Sequence, residues 1–329
     1  MKQRRVLVVG SSNLDLSIYC DRLPGSGETL LGGNFASAIG GKGANQATAA
    51  SRAGADILFV SAIGEDAQGE QIRAFFSAEG IETRWIATGK QEPTGIAVIL
   101  VDKQGNNSIV VAQGANAAIT PSDMGGIPFH TCSHVLVSLE IPMDVVMEVA
   151  RRARAAGCVV VLNPAPAATL PDELLRHVNI LVPNEHEVGV IAAGADAEKV
   201  HAEAARKFFE MGGDSLIITL GRDGAKVICP SCTEIVSGRE VTAVDTVGAG
   251  DCFCGVFVAS LAAGQPLLDA IRIANHAAAL SVQKRGAIPS YPYAEMIHSA
   301  PSQSPSGSNH VFLPTSAPMP PDFQVDAVV

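Results

Sequence analysis

Short apolar runs that alternate with helix-patterned segments limit what this chain can fold into more than any other feature. "RVLVVG", "DILFVSAIG", "HVLVSLE", "CVVVLNPAP", "NILVPNE" and "SLIITLG" read as strands. Between several of them lie "GANQATAASRAG", closing on Gly54, "AQGEQIRAFFSAEG", closing on Gly80, "MDVVMEVARRARAAG" and "AEKVHAEAARKFFEMGG". A glycine just past the last periodic residue is a helix stop. Strand and helix in turn predict an α/β fold, a parallel sheet covered by helices. Ligands of such sheets gather beyond the carboxyl ends of the strands. Asn13, Asp15, Glu140, Asn163, Asn184 and Gly221 all fall at or just after such ends.

Two segments break the alternation. "NLDLSIYCDRLPGSGETLLGGNFASAIGG" holds strand-like pieces around a Pro-Gly-Ser-Gly turn. "TGIAVILVDKQGNNSIVVAQG" reads as a hairpin turning near Lys103 to Asn107. Together they predict a small β-layer on the main domain, serving as a lid or a dimer surface. After about residue 296 the chain is rich in Ser and Pro and has no periodicity, which predicts a disordered tail over 296–329.

The 329 residues, 47% of them hydrophobic and 17% charged, can bury a large core. The net charge is −10 and no basic run stands out, which argues against a nucleic-acid partner. An acidic protein that handles anions must use local devices such as helix N-termini or a metal ion. The seven cysteines, 20, 132, 158, 229, 232, 252 and 254, are odd in number and irregular in spacing, so they predict a reducing compartment. Cys229-Pro-Ser-Cys232 has metal-ligand spacing, but no second pair follows it, and the plainer reading is a tight turn. The first apolar run, Val6 to Val9, is shorter than the ~7–15 residues of a signal peptide. No stretch approaches the ~18 apolar residues of a membrane span. A soluble, cytoplasmic protein without membrane partners is expected.

The chemistry-bearing motifs are glycine turns and carboxylates. In "VTAVDTVGAGDCFCG", Gly248, Ala249 and Gly250 precede Asp251, and an apolar segment follows. Small residues allow close approach to a ligand, and the amides that open a helix form an anion nest suited to phosphate. A carboxylate in that first turn can take the proton of a hydroxyl that attacks a phosphoryl group. The plainer alternative is a helix cap. "GGKGANQA" is not a P-loop; its Lys42 and Asn45 suit a polyol, or the stretch is a loop before a helix. Asn13 and Asp15, two apart in an extended segment, point to one side. Asp15 could accept bonds from two sugar hydroxyls, or belong to an Asn-x-Asp turn. Glu140 is either another hydroxyl acceptor or a solvated strand end. In "PNEHE", Asn184 and Glu187 can order the water shell of Mg²⁺, or start a helix. "TLGRDG", Thr219 to Gly224, is a nucleotide contact or an ordinary hairpin. His186, His201 and His276 form no ligand set.

Taken in order, "GSSNLD", "PGSGE", "GGKGANQA", "SLE", "NPAPA", "PNEHE", "TLGRDG", "VDTVGAGD" and "KRGAIPS" give a chain that resembles the PfkB carbohydrate kinase family from about Val6 to Pro292. "GGKGANQA" with "NPAPA" places the resemblance nearest that family's ribokinase branch. It implies a ribokinase-like three-layer α/β/α domain over 1–295, with a mostly parallel central sheet and a β-sheet lid from about 14–37 and 93–112. It implies ATP-dependent phosphorylation of a sugar's primary hydroxyl, with D-ribose to D-ribose 5-phosphate the first expectation. Deoxyribose, fructose or a nucleoside are the alternative acceptors, and a silent sugar- or nucleotide-binding protein the alternative class. A NAD-binding fold is disfavoured, because the first strand leads to "GSSNLD" and not to G-x-G-x-x-G.

By the same resemblance Asp251 is the catalytic base, and Gly248, Ala249 and Gly250 are the anion hole. Asn13, Leu14, Asp15, Gly41, Lys42, Gly43, Ala44, Asn45, Glu140 and Asp251 form the sugar site. Asn184, Thr219, Leu220, Gly221, Arg222, Asp223, Gly224, Gly250, Asp251 and Asn275 contact ATP. Mg²⁺ is held through water by Asn184 and Glu187. A monovalent cation, potassium, is held by Asp245, Val247, Ser281, Lys284, Gly286 and Ser290. Two subunits pair through the lid as a homodimer. Cys252 and Cys254 depart from the small polar residues usual after the catalytic Asp, and the tail has no counterpart in the family.

Overall fold

The computed structural model describes residues 5–89, 91–104, 107–192 and 199–299. The elements open with β1 (Arg5–Val9), β2 (Asn13–Tyr19), β3 (Asn34–Gly40), α1 (Lys42–Arg52), β4 (Ile57–Gly64), α2 (Ala67–Ala78) and β5 (Ile86–Gly89). Next come β6 (Gly95–Val101), β7 (Asn107–Ala112), β8 (Cys132–Val137), α3 (Met143–Ala155), β9 (Val159–Leu162), α4 (Asp172–Leu175) and β10 (Ile180–Leu181). The rest are α5 (Glu185–Ile191), α6 (Val200–Glu210), β11 (Ser215–Thr219), β12 (Gly224–Cys229), β13 (Cys232–Ser237), α7 (Ala249–Ala262), α8 (Leu267–Ser281) and α9 (Ala294–His298).

A nine-stranded sheet runs β13-β12-β11-β10-β9-β8-β1-β4-β5. The pairs from β11 through β5 are parallel, and only the β11–β12–β13 edge is antiparallel. Alternation along each strand divides the core into two. In β1, Val6 and Val8 face the side covered by α1, α2, α7 and α8, while Leu7 and Val9 face the side covered by α3, α4, α5 and α6. Period two thus supplies two apolar faces, and helices must cover both. The "NILVPNE" strand is short: after Leu181 one more amide, Val182, reaches the Leu162 carbonyl at 2.8 Å, and Pro183 then has no N–H to donate.

α7 is apolar around its whole circumference because it is wedged between α1 and α8; residues Asp251 to Ser260 are all buried. Its lone polar group in that run, apart from Ser260, is the carboxylate at its start.

A second, four-stranded sheet, β3-β2-β6-β7, stands beyond the carboxyl end of β1. Its β2–β6 pair is parallel and its flanking pairs antiparallel. The hairpin expected from "TGIAVILVDKQGNNSIVVAQG" is the β6–β7 pair; residues 105 and 106 of its turn lie outside the described residues. One face of this sheet presents apolar side chains outward, Val110 at 73% exposed and Phe35 at 67%.

The expected domain edge at residue 295 falls within the last described helix. α9 runs Ala294–His298 and buries Ile297 in the core beside α8. One apolar residue per turn is enough to dock a short helix, and too little to read as periodicity. The tail expected to be disordered lies, from residue 300, outside the described residues. Among the described residues no helix is long and apolar enough to cross a membrane.

Candidate active site

The glycine turn and the acid after it lie where the two sheets meet. Gly248 is the N-cap of α7 with φ +74°, a left-handed conformation that favours glycine. A Cβ there would stand 2.5 Å from both Ala287 Cβ and Tyr291 Oη. Tyr291 Oη donates to the Gly248 carbonyl at 3.0 Å, so the cap is clamped from outside the helix. The Ala249 amide is partly spent, donating to the Thr246 carbonyl at 3.2 Å. Gly250 is exposed and carries no side chain to shield its amide. Of the expected trio, Gly250 therefore offers the opener donor.

Asp251 occupies the first turn of α7 and is only 8% exposed. Asn45 Nδ2 donates to its Oδ2 at 2.9 Å and Gln46 Nε2 to its Oδ1 at 2.9 Å. Both donors sit at the start of α1, which lies close against β1 because Gly43 and Gly10 face one another. A Cβ on Gly43 would meet the Gly10 carbonyl carbon at 2.5 Å. This is what "GGKGANQA" provides: a helix start close enough for its side chains to reach α7.

Asn13 and Asp15 begin β2, and Glu140 follows β8. Glu140 Oε2 accepts from the Lys42 amide at 2.9 Å and from Ser11 Oγ at 2.5 Å. Asn13 Oδ1 accepts from Asn116 Nδ2 at 2.9 Å. Burial, reinforced by the charges of Glu140 and Asp251, pushes the Asp15 carboxyl up to about 7. Lys42 is held above its usual range, chiefly by Asp251 and then by Glu140 and Glu187, against the opposing effect of burial. Asp15, Lys42, Glu140 and Asp251 thus form one electrostatic cluster. Leu14 and Ala44, by contrast, are buried at 7% and 0% and can offer only backbone. Gly41 is the N-cap of α1. A cavity of about 410 Å³ runs beneath the small sheet from Asp15 past Tyr19 to Asp245, Val247 and Arg285; of the sugar-site candidates only Asp15 lines it.

A larger cavity, about 880 Å³, opens on the other side of the glycine turn. Thr219, Gly221, Arg222, Asp223, Gly224, Ala249, Gly250 and Asn275 line it, with Phe253, Ala278 and Val282 as an apolar wall. "TLGRDG" is the hairpin the sequence allowed, between β11 and β12, and its turn forms part of this cavity's wall. Asn275 Nδ2 donates to the Val236 carbonyl at 3.0 Å and ties α8 to β13. Leu220 and Asn184 do not line this cavity. Asn184 bridges to Thr219 and forms a capping box: its Oδ1 accepts from the Glu187 amide and Glu187 Oε2 from the Asn184 amide, each at 2.8 Å. Burial raises the Glu187 carboxyl above its ordinary value.

Asp245 joins two segments. Its Oδ1 accepts from the Val247 amide at 3.0 Å and its Oδ2 from the Gly286 amide at 2.8 Å. The Ser281 carbonyl accepts from the Lys284 amide at 3.1 Å, and Ser290 Oγ donates to the Ala287 carbonyl at 2.7 Å. Four side chains were missed by sequence reasoning, Ser11, Gln46, Asn116 and Tyr291, and Asn163 was placed at a strand end without a role. Gln46 and Asn163 stood inside quoted motifs, yet nothing in the spacing said that they face each other across the fold.

A parallel sheet, a small second sheet and a buried carboxylate in the first turn of α7 define the class. The pfkB family carbohydrate kinase model matches residues 3–294, and the chain belongs to that family. It is 41% identical over 295 residues to the ribokinase of Haemophilus influenzae, covering 88% of this chain and 96% of that one. It is 36% identical over 299 residues to the ribokinase of Staphylococcus aureus, covering 89% and 98%. The solved structure of Arabidopsis thaliana ribokinase complexed with ribose and ATP superposes with a TM-score of 0.81 at 31% identity, over 90% of this chain and 97% of that one.

Proposed function

We propose that the protein is an ATP-dependent ribokinase, transferring the γ-phosphoryl group of ATP to the primary hydroxyl of D-ribose. One observation carries the reading: the first turn of α7 serves two sites at once. Ala249 and Gly250 line the larger cavity, while the next residue, Asp251, is held by Asn45 and Gln46 on the side of the polyol-type groups. Nucleotide and sugar would meet across that single turn.

In this reading the ribose hydroxyls bind Asn13, Asp15, Lys42, Asn45 and Glu140, with backbone from Leu14, Gly41, Gly43 and Ala44. Asp251 accepts the hydroxyl proton as the oxygen attacks the γ-phosphorus; the bond to the β-phosphate oxygen breaks and ADP leaves. The amides of the 248–250 turn and the positive end of α7 stabilise the charge on the transferred group. The nucleotide lies along Thr219 to Gly224, Gly250 and Asn275.

Mg²⁺, when bound with the nucleotide, would screen phosphate charge. Asn184 and Glu187 suit a hydrated ion held through water, since each spends one oxygen on the other's backbone amide. Among the described residues no three acidic, His or Cys groups converge as a metal cage. Asp245 with the carbonyls of Val247, Ser281, Lys284, Gly286 and Ser290 is an all-oxygen set, which suits a hard cation such as potassium. The apolar outer face of the lid supports a homodimer paired through it.

The test is ADP release across ribose, deoxyribose, fructose and a nucleoside panel. Ribose should give the highest kcat/KM. A clear preference for another acceptor would replace the substrate, and no release from folded protein with any of them would remove the kinase reading.

A further inference from the structure

Gln46 is the polar side chain at the site with no role in the proposed reaction. It is fully buried, 0% exposed, on α1. Its Nε2 lies 2.9 Å from Asp251 Oδ1 and 3.0 Å from Asn163 Oδ1. A side-chain amide nitrogen has two N–H groups, and these two acceptors take both. Turned over, the amide would set its oxygen against two other oxygens, one of them a carboxylate's, so its orientation is dictated by its neighbours. Asn163 is fixed in turn, because its Nδ2 donates to the Val182 carbonyl at 2.8 Å and its Oδ1 is therefore aimed at Gln46. Gln46 Oε1 is left buried with no partner among the described residues. A buried unsatisfied oxygen is costly, and its presence indicates a side chain held for what its nitrogen does.

We infer that Gln46, oriented by Asn163, is a positioning residue that fixes the plane of the Asp251 carboxylate. The inference rests on Asp251 as the base of the proposed kinase. The carboxylate then has one oxygen tied to Gln46 and the other to Asn45, and its remaining lone pairs face one direction. The anchor starts at Val182, at the carboxyl end of β10, and reaches α7 through two amides. The parallel sheet thereby sets the direction of a group on a helix.

Gln46→Leu removes the donor and keeps the volume. Asp251 gains rotational freedom while no proposed sugar or nucleotide contact is touched. A reacting group displaced in this way can lose about 10²-fold, so kcat should fall about 10–100-fold. The KM values for ribose and ATP should stay near those of the wild type. Asn163→Leu should lower kcat in the same direction but less, and the pair together should cost less than the product of the two. Gln46→Glu gives the signature that a packing role would not. At low pH its protonated carboxyl can donate to Asp251 Oδ1 as the amide did. Two carboxylates at that spacing cannot both ionise without repulsion, so a descending limb should appear in kcat as pH rises. The charged and titratable groups facing Asp251 are Lys42 on α1, Asp15 on β2, Glu187 on α5, Cys252 and Cys254 on α7, and Tyr291, with Glu140 beside Asp15 and Lys42. None of them is altered, so a new limb belongs to the introduced carboxyl.

The experiment measures ADP release with ribose over pH for the wild type, Gln46→Leu, Gln46→Glu and Asn163→Leu, with circular dichroism confirming that each is folded. A kcat loss at steady KM in Gln46→Leu, with the added limb in Gln46→Glu, supports the positioning role. A kcat in Gln46→Leu within about twofold of wild type, a loss expressed wholly in KM, or an unchanged pH profile in Gln46→Glu overturns it. Should Gln46→Leu not fold, the profile of Gln46→Glu and the kcat of Asn163→Leu decide. An inactive wild type would remove the kinase reading and this inference with it; an active wild type with unaffected variants would remove the inference alone.

Discussion

Asp15 carries the clearest pH signature of any single residue at the site. Its carboxyl is pushed from 3.8 to about 7, first by burial and then by Glu140 and Asp251. An acid raised on folding is ionised at a cost: the fold loses stability as pH climbs from the unfolded value toward about 7, and the cost is complete above it. Only the ionised form accepts freely from hydroxyls, so the KM for ribose should fall as pH rises through about 7 and then level off. Asp15→Asn should abolish that pH dependence, be more stable than wild type at alkaline pH, and raise ribose KM by about 10–100-fold through loss of a charged acceptor worth ~1.5–3 kcal/mol. Steady-state kinetics and melting temperatures at several pH values check both parts. A pH-independent ribose KM in the wild type would take Asp15 out of sugar binding.

Between elements, the junction to probe is the one that docks the 286–291 loop. Arg52 at the end of α1 pairs with Glu79 beyond α2 at 2.6 Å, donates to the carbonyls of Ile288 and Tyr291, and lies 4.7 Å from the centre of the Tyr293 ring. Tyr291 in turn holds the Gly248 cap. Removing one member of a buried ion pair costs about 3–5 kcal/mol, so Arg52→Ala should unfold several degrees below wild type. Tyr291→Phe removes one hydrogen bond and should cost about 1 kcal/mol, with a lowered kcat because the turn proposed to receive phosphate is no longer clamped. Thermal unfolding and kinetics separate the two effects; an unchanged melting temperature in Arg52→Ala would show that the pair is dispensable. Elements of this kind were only half legible in the sequence. The strands announce themselves as apolar runs, and the helices by period and terminal glycine. Gln46 was missed because 205 residues of chain separate it from Asp251. Spacing speaks for neighbours, and distant partners are decided by packing.

On the scale of the whole molecule, the larger cavity opens on the start of α7 and the smaller lies against the small sheet. The lid's outer face, with Phe35 and Val110 more than half exposed, is where a second copy is proposed to pair. Val110→Glu should then yield a monomer by sedimentation velocity and a reduced kcat; a wild type that sediments as a monomer would leave that face without the proposed partner. The motifs were legible because each is a local backbone need, a glycine turn or a helix cap. What the sequence left open was open because local spacing names no distant partner: Asp251 is no helix cap, since Gly248 caps α7 and the Asp251 carboxylate is held by Asn45 and Gln46. The central claim is that Asp251 takes the proton of the attacking hydroxyl. The measurement is kcat for ADP release by Asp251→Asn, alongside calorimetric binding of ribose and ATP. A fall of about 10²–10⁴-fold in kcat with both ligands still bound is the predicted result. A kcat near that of the wild type would contradict it.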